Sequence, residues 1–569
     1  MTEGLQGITS LKNMAELSIA VFFRGRILPG ILFSGMVLGA LSSLQAQQLA
    51  EGVYWVYFKD KAGNGFSVDQ PEAFLSERSL QRRAWQGLPV DTRDLPVTSG
   101  YLTELRELGV EIRHVSRWLN GVAMVNADSQ QFMQVLDLPF TDTVAWEPDR
   151  GVMYYPPHNG AARFEAPMDQ APLFDYGLSL EQAAMLGVDL LHGLGYTGKG
   201  VWIAVLDAGF SRVDSLPSFQ TMISEGRLIG TRNFVHSGSV FRENSSHGMN
   251  VLSSMGGNWT GNLLGTAPDA SYFLCMTEDP SRETKIEEIA WIEAAEYVDS
   301  LGFDVINTSL GYSDFDGTAF DYTYEDMDGK TAFISRAASL TASRGMIACN
   351  SAGNEGSDPW FYVTAPADAT DILTVGAVDS EGDIAGFSSR GPTFDSRIKP
   401  DVVAQGVLCV LQGVGGGLVL GSGTSFSSPV LAGSVASLWQ AYPDVSAREM
   451  IRWVRQSGDR SLNPDATFGF GIPDMARAYW NITHVPAGIK PGRLELYPNP
   501  ADSWIRVRLP GQESGSHEIR VYDMSGRTVL VREADLSAEF PLPSSLQRGV
   551  YLIEIRTGQG IYRGRFIKQ

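Results

Sequence analysis

Gly423-Thr424-Ser425-Phe426-Ser427-Ser428-Pro429 is the stretch that decides how this chain is read. A turn of small residues hands a serine to the start of an apolar helix carrying Val430, Leu431, Ala432, Val435, Ala436, Leu438 and Trp439. The first N–H groups of a helix lack intrahelical partners, so a hydroxyl and several backbone donors converge on one point. A hydroxyl alone is a weak nucleophile. It needs a base, and the base needs a group that orients it. Both lie upstream. Asp207 closes the apolar run Val201-Trp202-Ile203-Ala204-Val205-Leu206-Asp207, and His247 opens Ser246-His247-Gly248-Met249-Asn250-Val251-Leu252. The candidate catalytic set is therefore Asp207, His247 and Ser425.

The order Asp, His, Ser along the chain, with these flanking strings, resembles the subtilisin-like serine proteases, the subtilases. Four more segments carry the resemblance: Leu264-Gly265-Thr266-Ala267-Pro268, Asn307-Thr308-Ser309-Leu310-Gly311, Ser351-Ala352-Gly353-Asn354-Glu355-Gly356, and Phe387-Ser388-Ser389-Arg390-Gly391-Pro392 with Ile398-Lys399-Pro400-Asp401-Val402. Together they span roughly residues 175 to 480. The resemblance implies that Asn354 supplies an oxyanion-hole amide and that Ser309, Leu310 and Gly311 form a strand pairing with substrate. It implies that Thr364, just before Ala365-Pro366, floors the first specificity pocket. One position departs from the pattern: Ala208 follows Asp207 where the family usually has Ser or Thr, a position that supports the aspartate without doing chemistry.

At 569 residues the chain is too long for one domain. A net charge of -21 argues against nucleic acid as a partner, because a binder of phosphate backbones needs a basic surface. Three cysteines, Cys275, Cys349 and Cys409, do not make a disulfide framework, and Cys275 and Cys349 sit in apolar runs that read as buried strands.

Four parts are expected after a signal peptide at 1–46. In that leader Arg24 and Arg26 precede an apolar run from Ile27 to Leu41, and small residues lead to Ala46. Residues 49–150 read as a strand-rich unit with two helices, Phe74–Trp85 and Tyr101–Leu108, the first with Arg78, Arg82 and Arg83 outward. At this place in a subtilase such a unit is an intramolecular chaperone and inhibitor. Residues 151–174 are a linker suited to a maturation cut. Residues 175–482 alternate strands with helices, including Ile286–Leu301 and Thr331–Arg344, which predicts a parallel sheet covered on both faces with ligands at the strands' carboxyl ends. Residues 490–569 alternate strictly, as in Ile505, Val507 and Leu509 against Arg506 and Arg508, and read as a small antiparallel β-sandwich. The Ser525-Gly526-Arg527 hairpin and the strand Gly549-Val550-Tyr551-Leu552 resemble the C-terminal sorting domain of the Bacteroidetes type IX secretion system.

The expected fold is thus α/β and subtilisin-like, preceded by an α+β propeptide. The expected function is a secreted serine endopeptidase, a monomer, acting on protein or peptide substrates. Its propeptide would be its inhibitor and the type IX machinery its exporter, to the outside or the outer-membrane surface. Two other classes fit the motifs: a silent scaffold that keeps the fold as a binding surface, and an enzyme that transfers the acyl group to an amine. No cofactor is expected for the chemistry. A structural calcium ion is compatible with the family, and the acidic stretch Asp314–Asp328 is its one visible candidate, though it lacks the spacing of a known calcium loop.

Overall fold

Seven short strands make the central sheet, in the order Val402–Gln405, Leu373–Val378, Ile347–Ser351, Val305–Thr308, Trp202–Asp207, Ser271–Met276 and Leu228–Asn233. Every pairing in it is parallel. The computed structural model describes residues 52–148, 174–316, 320–484, 492–493, 495–508, 516–523, 528–535, 539–557 and 560–568. The expected signal peptide, nearly all of the 151–174 linker and the whole Ser525-Gly526-Arg527 turn lie outside them.

The two-residue period of a strand sends alternate side chains to opposite faces. Ile203, Val205, Ile347, Cys349 and Val375 join one core with Met249 and Leu252 of the helix His247–Gly256, and Val430, Leu431 and Val435 of the helix Thr424–Ala441. Ala204, Leu206, Ile306 and Ala348 join a second core with Trp291, Ile292 and Val298 of the helix Lys285–Leu301. The result is the subtilisin-like α/β arrangement, with the ends of the Asp207, Thr308 and Ser351 strands on one edge.

One expected helix is broken. Residues 331–344 form Phe333–Ala338 and a tighter turn at Thr341–Arg344. The Thr341 and Ser343 hydroxyls donate to the carbonyls three residues back, at 2.7 and 2.6 Å, which favours three-residue turns over a continuous α-helix.

The N-terminal unit is an antiparallel sheet in the order Glu111–Ser116, Gly121–Val125, Gly52–Phe58, Thr141–Pro148. It carries three helices where two were expected. The additional one, Ser129–Leu136, starts at a capping box between Asp128 and Gln131. Tyr54, Val56 and Phe58 face the unit's own core. Val53 and Trp55, on the other face, join the second core of the central domain, where the Trp55 ring meets Phe333 edge-on at 4.9 Å. Gly121 is required here, because a β-carbon would strike the Trp55 indole.

The first helix runs Glu77–Trp85, capped by Ser76, after a short turn at Pro71–Ala73. Two of its three arginines do not face solvent, while Arg78 is half-buried and pairs with Asp304 at 2.5 Å. Arg82 and Arg83 are 3% and 1% exposed because the central domain covers them. Asp299 of Lys285–Leu301, fully buried, accepts from Arg82 at 2.5 Å, from Arg83 at 2.8 Å and from Arg117 at 2.8 Å. In exchange, Asp94 of the N-terminal unit bridges Arg83 at 2.8 Å and Arg344 of the central domain at 3.0 Å. Glu296 accepts from the backbone N–H groups of Arg117 and Trp118 at 2.9 and 3.0 Å. Burial opposes the Asp299 carboxylate, but Arg83, Arg82 and Arg117 outweigh it and lower its pKa.

The C-terminal part has a five-stranded and a three-stranded sheet around Ile505, Val507, Ile519, Val521, Ile553, Ile555 and Phe566. Its pairs are antiparallel except Gly492–Arg493, which runs parallel to Tyr562–Arg563. Among the described residues no helix is long and apolar enough to cross a membrane.

Removing one partner of a buried ion network leaves the others uncompensated. Asp299→Ala is therefore expected to cost about 3–5 kcal/mol in the attachment of the N-terminal unit, read by urea titration of the Ser425→Ala chain. A loss below about 1 kcal/mol, the scale of an exposed pair, would contradict this account of the interface.

Candidate active site

Asp207 is the last residue of its strand and has no exposed surface. Its Oδ1 accepts from the Ala208 N–H at 2.8 Å and from His247 Nδ1 at 2.7 Å. Its Oδ2 is buried and meets no donor among the described residues. Ala208, where the family pattern has a hydroxyl, supplies none. His247 opens its helix and is half-buried. The approach depends on Gly248, since a β-carbon there would lie 2.9 Å from Asp207 Cβ and 2.7 Å from the Gly209 carbonyl. Burial disfavours the imidazolium, but the charge and hydrogen bond of Asp207, with Glu278 behind it, prevail and raise the His247 pKa above 6.5.

Ser425 is the second residue of Thr424–Ala441. Pro429 lies four residues on and has no N–H, so the Ser425 carbonyl loses its helical donor. The Ser309 hydroxyl takes that place, donating to it at 2.9 Å. In return the Ser425 hydroxyl donates to the Ser309 carbonyl at 3.3 Å. Asn307 secures the junction, accepting from the Ser428 hydroxyl at 2.9 Å and donating to Ser309 Oγ at 3.1 Å. Asn307 and Ser428 were not singled out by sequence reasoning, although both stand inside its motifs.

Asn354 is exposed, and its amide has one orientation that satisfies its neighbours. Oδ1 accepts from the Thr424 N–H at 2.9 Å and from the Thr424 hydroxyl at 3.1 Å. Nδ2 is thereby turned away from Thr424. Ser309 is buried, Leu310 half-buried and the Gly311 peptide exposed, beyond the end of the Val305–Thr308 strand. Tyr312 then pairs with Ala365 in both directions, at 2.8 and 3.0 Å, which brings Thr364 beneath this segment.

Among the described residues the Asp314–Asp328 carboxylates form no ligating group of their own, and Asp316 accepts from the Glu283 N–H at 3.2 Å. Asp321 accepts from the Phe315 N–H, Asp326 from Thr323, and Asp328 from Lys330 and Thr331, so each shapes a local turn. The acids that converge are Glu278, Glu283 and Glu287, each offering an oxygen within 4.8 Å of the others. Glu278 follows the strand beside Asp207 and accepts from the Tyr312 hydroxyl. Burial, then the nearby carboxylates, push Glu283 and Glu287 up, and burial pushes Glu278 up to about 8. All three cysteines are buried, which raises their thiol pKa values and makes them poor nucleophiles.

Residues 198–471 match the Subtilase family of Peptidase S8. This segment is similar to subtilase domains. Residues 53–157 match the Peptidase S8 propeptide domain of Bacteroidota, and residues 495–569 match the secretion system C-terminal sorting domain. The chain is 30% identical over 303 residues to the serine protease AprX of Bacillus subtilis (strain 168), covering 48% of this chain and 64% of that one. It is 31% identical over 272 residues to Subtilisin E of the same organism, covering 47% and 61%. It is 32% identical over 334 residues to the membrane-bound transcription factor site-1 protease of Homo sapiens, covering 55% and 28%. The chain thus spans less than two thirds of each of these relatives.

The acidic cluster has a pH signature. Glu278 keeps its proton to about 8 in the folded state against 4.5 when free, so the folded state holds more protons in that window. Stability conferred by the protonated cluster is present below 4.5 and is lost as pH rises through about 8. Glu278→Gln keeps an acceptor for Tyr312 and removes the titration. On the Ser425→Ala background it should flatten the fall in stability between about pH 5 and pH 8, with a gain on the order of 2 kcal/mol at the upper end. An unchanged slope in denaturant titrations would contradict the reading.

Proposed function

We propose that the chain is a secreted serine endopeptidase that cuts protein or peptide chains through an acyl-enzyme. The observation that carries this reading is the 2.7 Å bond between the buried Asp207 carboxylate and His247 Nδ1, at the carboxyl end of the sheet that also delivers Ser309 and Asn354. Asp207 holds the imidazole with its proton on Nδ1, leaving Nε2 as the base. The Ser425 hydroxyl turns from the Ser309 carbonyl to Nε2, gives up its proton and attacks the substrate carbonyl carbon. The tetrahedral oxyanion accepts hydrogen bonds from Asn354 Nδ2 and the Ser425 backbone N–H. The imidazolium returns its proton to the leaving amine, which departs as the C–N bond breaks. Water then repeats the sequence and releases the acid. Ser309, Leu310 and Gly311 align the substrate as an added strand. The side chains and backbone of this chain carry every step.

The same reading assigns 1–46 as signal peptide, 49–150 as propeptide, 151–174 as the cleaved linker, 175–482 as catalytic domain and 490–569 as sorting domain. The charge-matched face around Asp299 supports the propeptide as a tightly held inhibitor. The sorting-domain match supports export by type IX machinery to the outside or to the outer-membrane surface.

Two kinetic results are expected. Asn354→Ala should lower kcat far more than it changes KM, by on the order of 10²–10³, the scale that loss of an oxyanion donor has in subtilisin, a relative of this chain. A rise in KM at constant kcat would make Asn354 a pocket residue only. The acid limb of kcat/KM should have its midpoint above 6.5, following the raised His247 pKa. A midpoint at or below 6.5 would show that Asp207 does not support the imidazolium.

A further inference from the structure

The helix Lys285–Leu301 joins two strands that both run parallel to Trp202–Asp207, so it returns in the opposite direction. Its first turn lies at the edge of the sheet that carries Asp207, and its last turn at the far edge. The last carbonyls of a helix have no intrahelical donor. Here the N-terminal unit serves that end. The Ser300 carbonyl accepts from the Ser76 N–H at 2.9 Å, the Gly302 carbonyl from Arg78 at 3.0 Å and the Phe303 carbonyl from Arg82. Cations placed there also complement the helix dipole.

More of the same unit reaches the far edge. Arg78 bonds to the Gly200 carbonyl at 3.0 Å and covers the Trp202 ring at 4.3 Å. Its partner Asp304 accepts from the Trp202 N–H at 2.9 Å, so this arginine secures the start of the strand whose other end is Asp207. Gln86 bridges two separate segments. Its amide donates to the Gly345 carbonyl at 2.9 Å, two residues before the Ile347–Ser351 strand, and its oxygen accepts from the Ala447 N–H at 2.9 Å, beyond the far end of Thr424–Ala441. The grip is thus a strand's length from Asp207, while the unit's last strand, Thr141–Pro148, leads to the 151–174 linker. A cut in that linker severs none of these bonds. Departure of the unit would also strip Val53 and Trp55 from the second core, and an apolar core of this kind is characteristic of permanent interfaces.

We infer that the N-terminal unit does not leave when the linker is cut. It stays as a second chain of the mature enzyme, gripped at the edge opposite the proposed active site, and the cut alone frees that site. The inference rests on the endopeptidase and linker assignments above and states how the site is regulated.

The test places a foreign protease's recognition sequence in the 151–174 linker of the full chain. In the Ser425→Ala form the cut is made by that protease alone, so retention is measured without the chain's own activity. After the cut the N-terminal unit should co-elute with the rest of the chain in size exclusion at nanomolar concentration. Arg78→Ala combined with Gln86→Ala should raise its dissociation rate by about tenfold or more. Arg113→Ala, which removes an exposed bond to the Val235 carbonyl at 3.2 Å, should change that rate less than about twofold. Gln86→Ala alone, on a half-buried side chain, carries the test if the pair does not fold. With Ser425 intact, the cut chain should be labelled by a fluorophosphonate while its N-terminal unit is still attached. A unit that leaves on cutting, a release rate unchanged by the Arg78 and Gln86 variants, or labelling that appears only once the unit has gone overturns the inference. No labelling even after release overturns the endopeptidase reading, and retention, measured in the Ser425→Ala form, is judged apart from it.

Discussion

A carboxylate with no exposed surface must have its charge matched, and two aspartates impose that constraint on this chain. Asp207, fully buried at the end of a central strand, is matched by the His247 imidazole at 2.7 Å. The match is possible because a parallel sheet brings its strand ends to one edge and because Gly248 lets the histidine helix close on that edge. Asp299, fully buried on the opposite layer, is matched by Arg82, Arg83 and Arg117 of the N-terminal unit. One buried charge thus organises the proposed chemistry, and the other ties the N-terminal unit to the central domain.

The rest of the site follows from local backbone chemistry. Pro429 deprives the Ser425 carbonyl of its helical donor, and Ser309 supplies the replacement. That bond fastens the proposed nucleophile to the segment that would hold substrate, and Asn307 braces it from below. Thr424 satisfies only the oxygen of the Asn354 amide, so the nitrogen is the end left for a ligand. Ser425 and Asn354 are thus each held through one polar atom by a neighbouring segment.

What was legible in the sequence was local. Asp207, His247, Ser425 and Asn354 stand in short strings whose turn and helix chemistry can be read directly, and the strand-helix alternation gave the parallel sheet. What escaped depends on partners far along the chain. Arg82 and Arg83 read as a solvated helix face because Asp299 lies more than 200 residues away, and only docking of the two units buries them. The convergence of Glu278, Glu283 and Glu287 depends on how a strand end meets the start of a helix. The helix break after Ala338 was legible in principle, through Thr341 and Ser343, but the apolar pattern there favours continuity. The Asp128-to-Gln131 capping box was a local signal for the third N-terminal helix.

The proposed chemistry requires Asp207, His247, Ser425 and Asn354 to form one catalytic centre. The most direct measurement is a crystal structure of the chain carrying a peptide boronate at that centre. The expected adduct has a bond from boron to Ser425 Oγ, one boronate oxygen within hydrogen-bond distance of Asn354 Nδ2 and the Ser425 N–H, and His247 Nε2 facing it with the Asp207 bond kept. A boronate on another residue, or an oxygen pointing away from Asn354 into solvent, would contradict it.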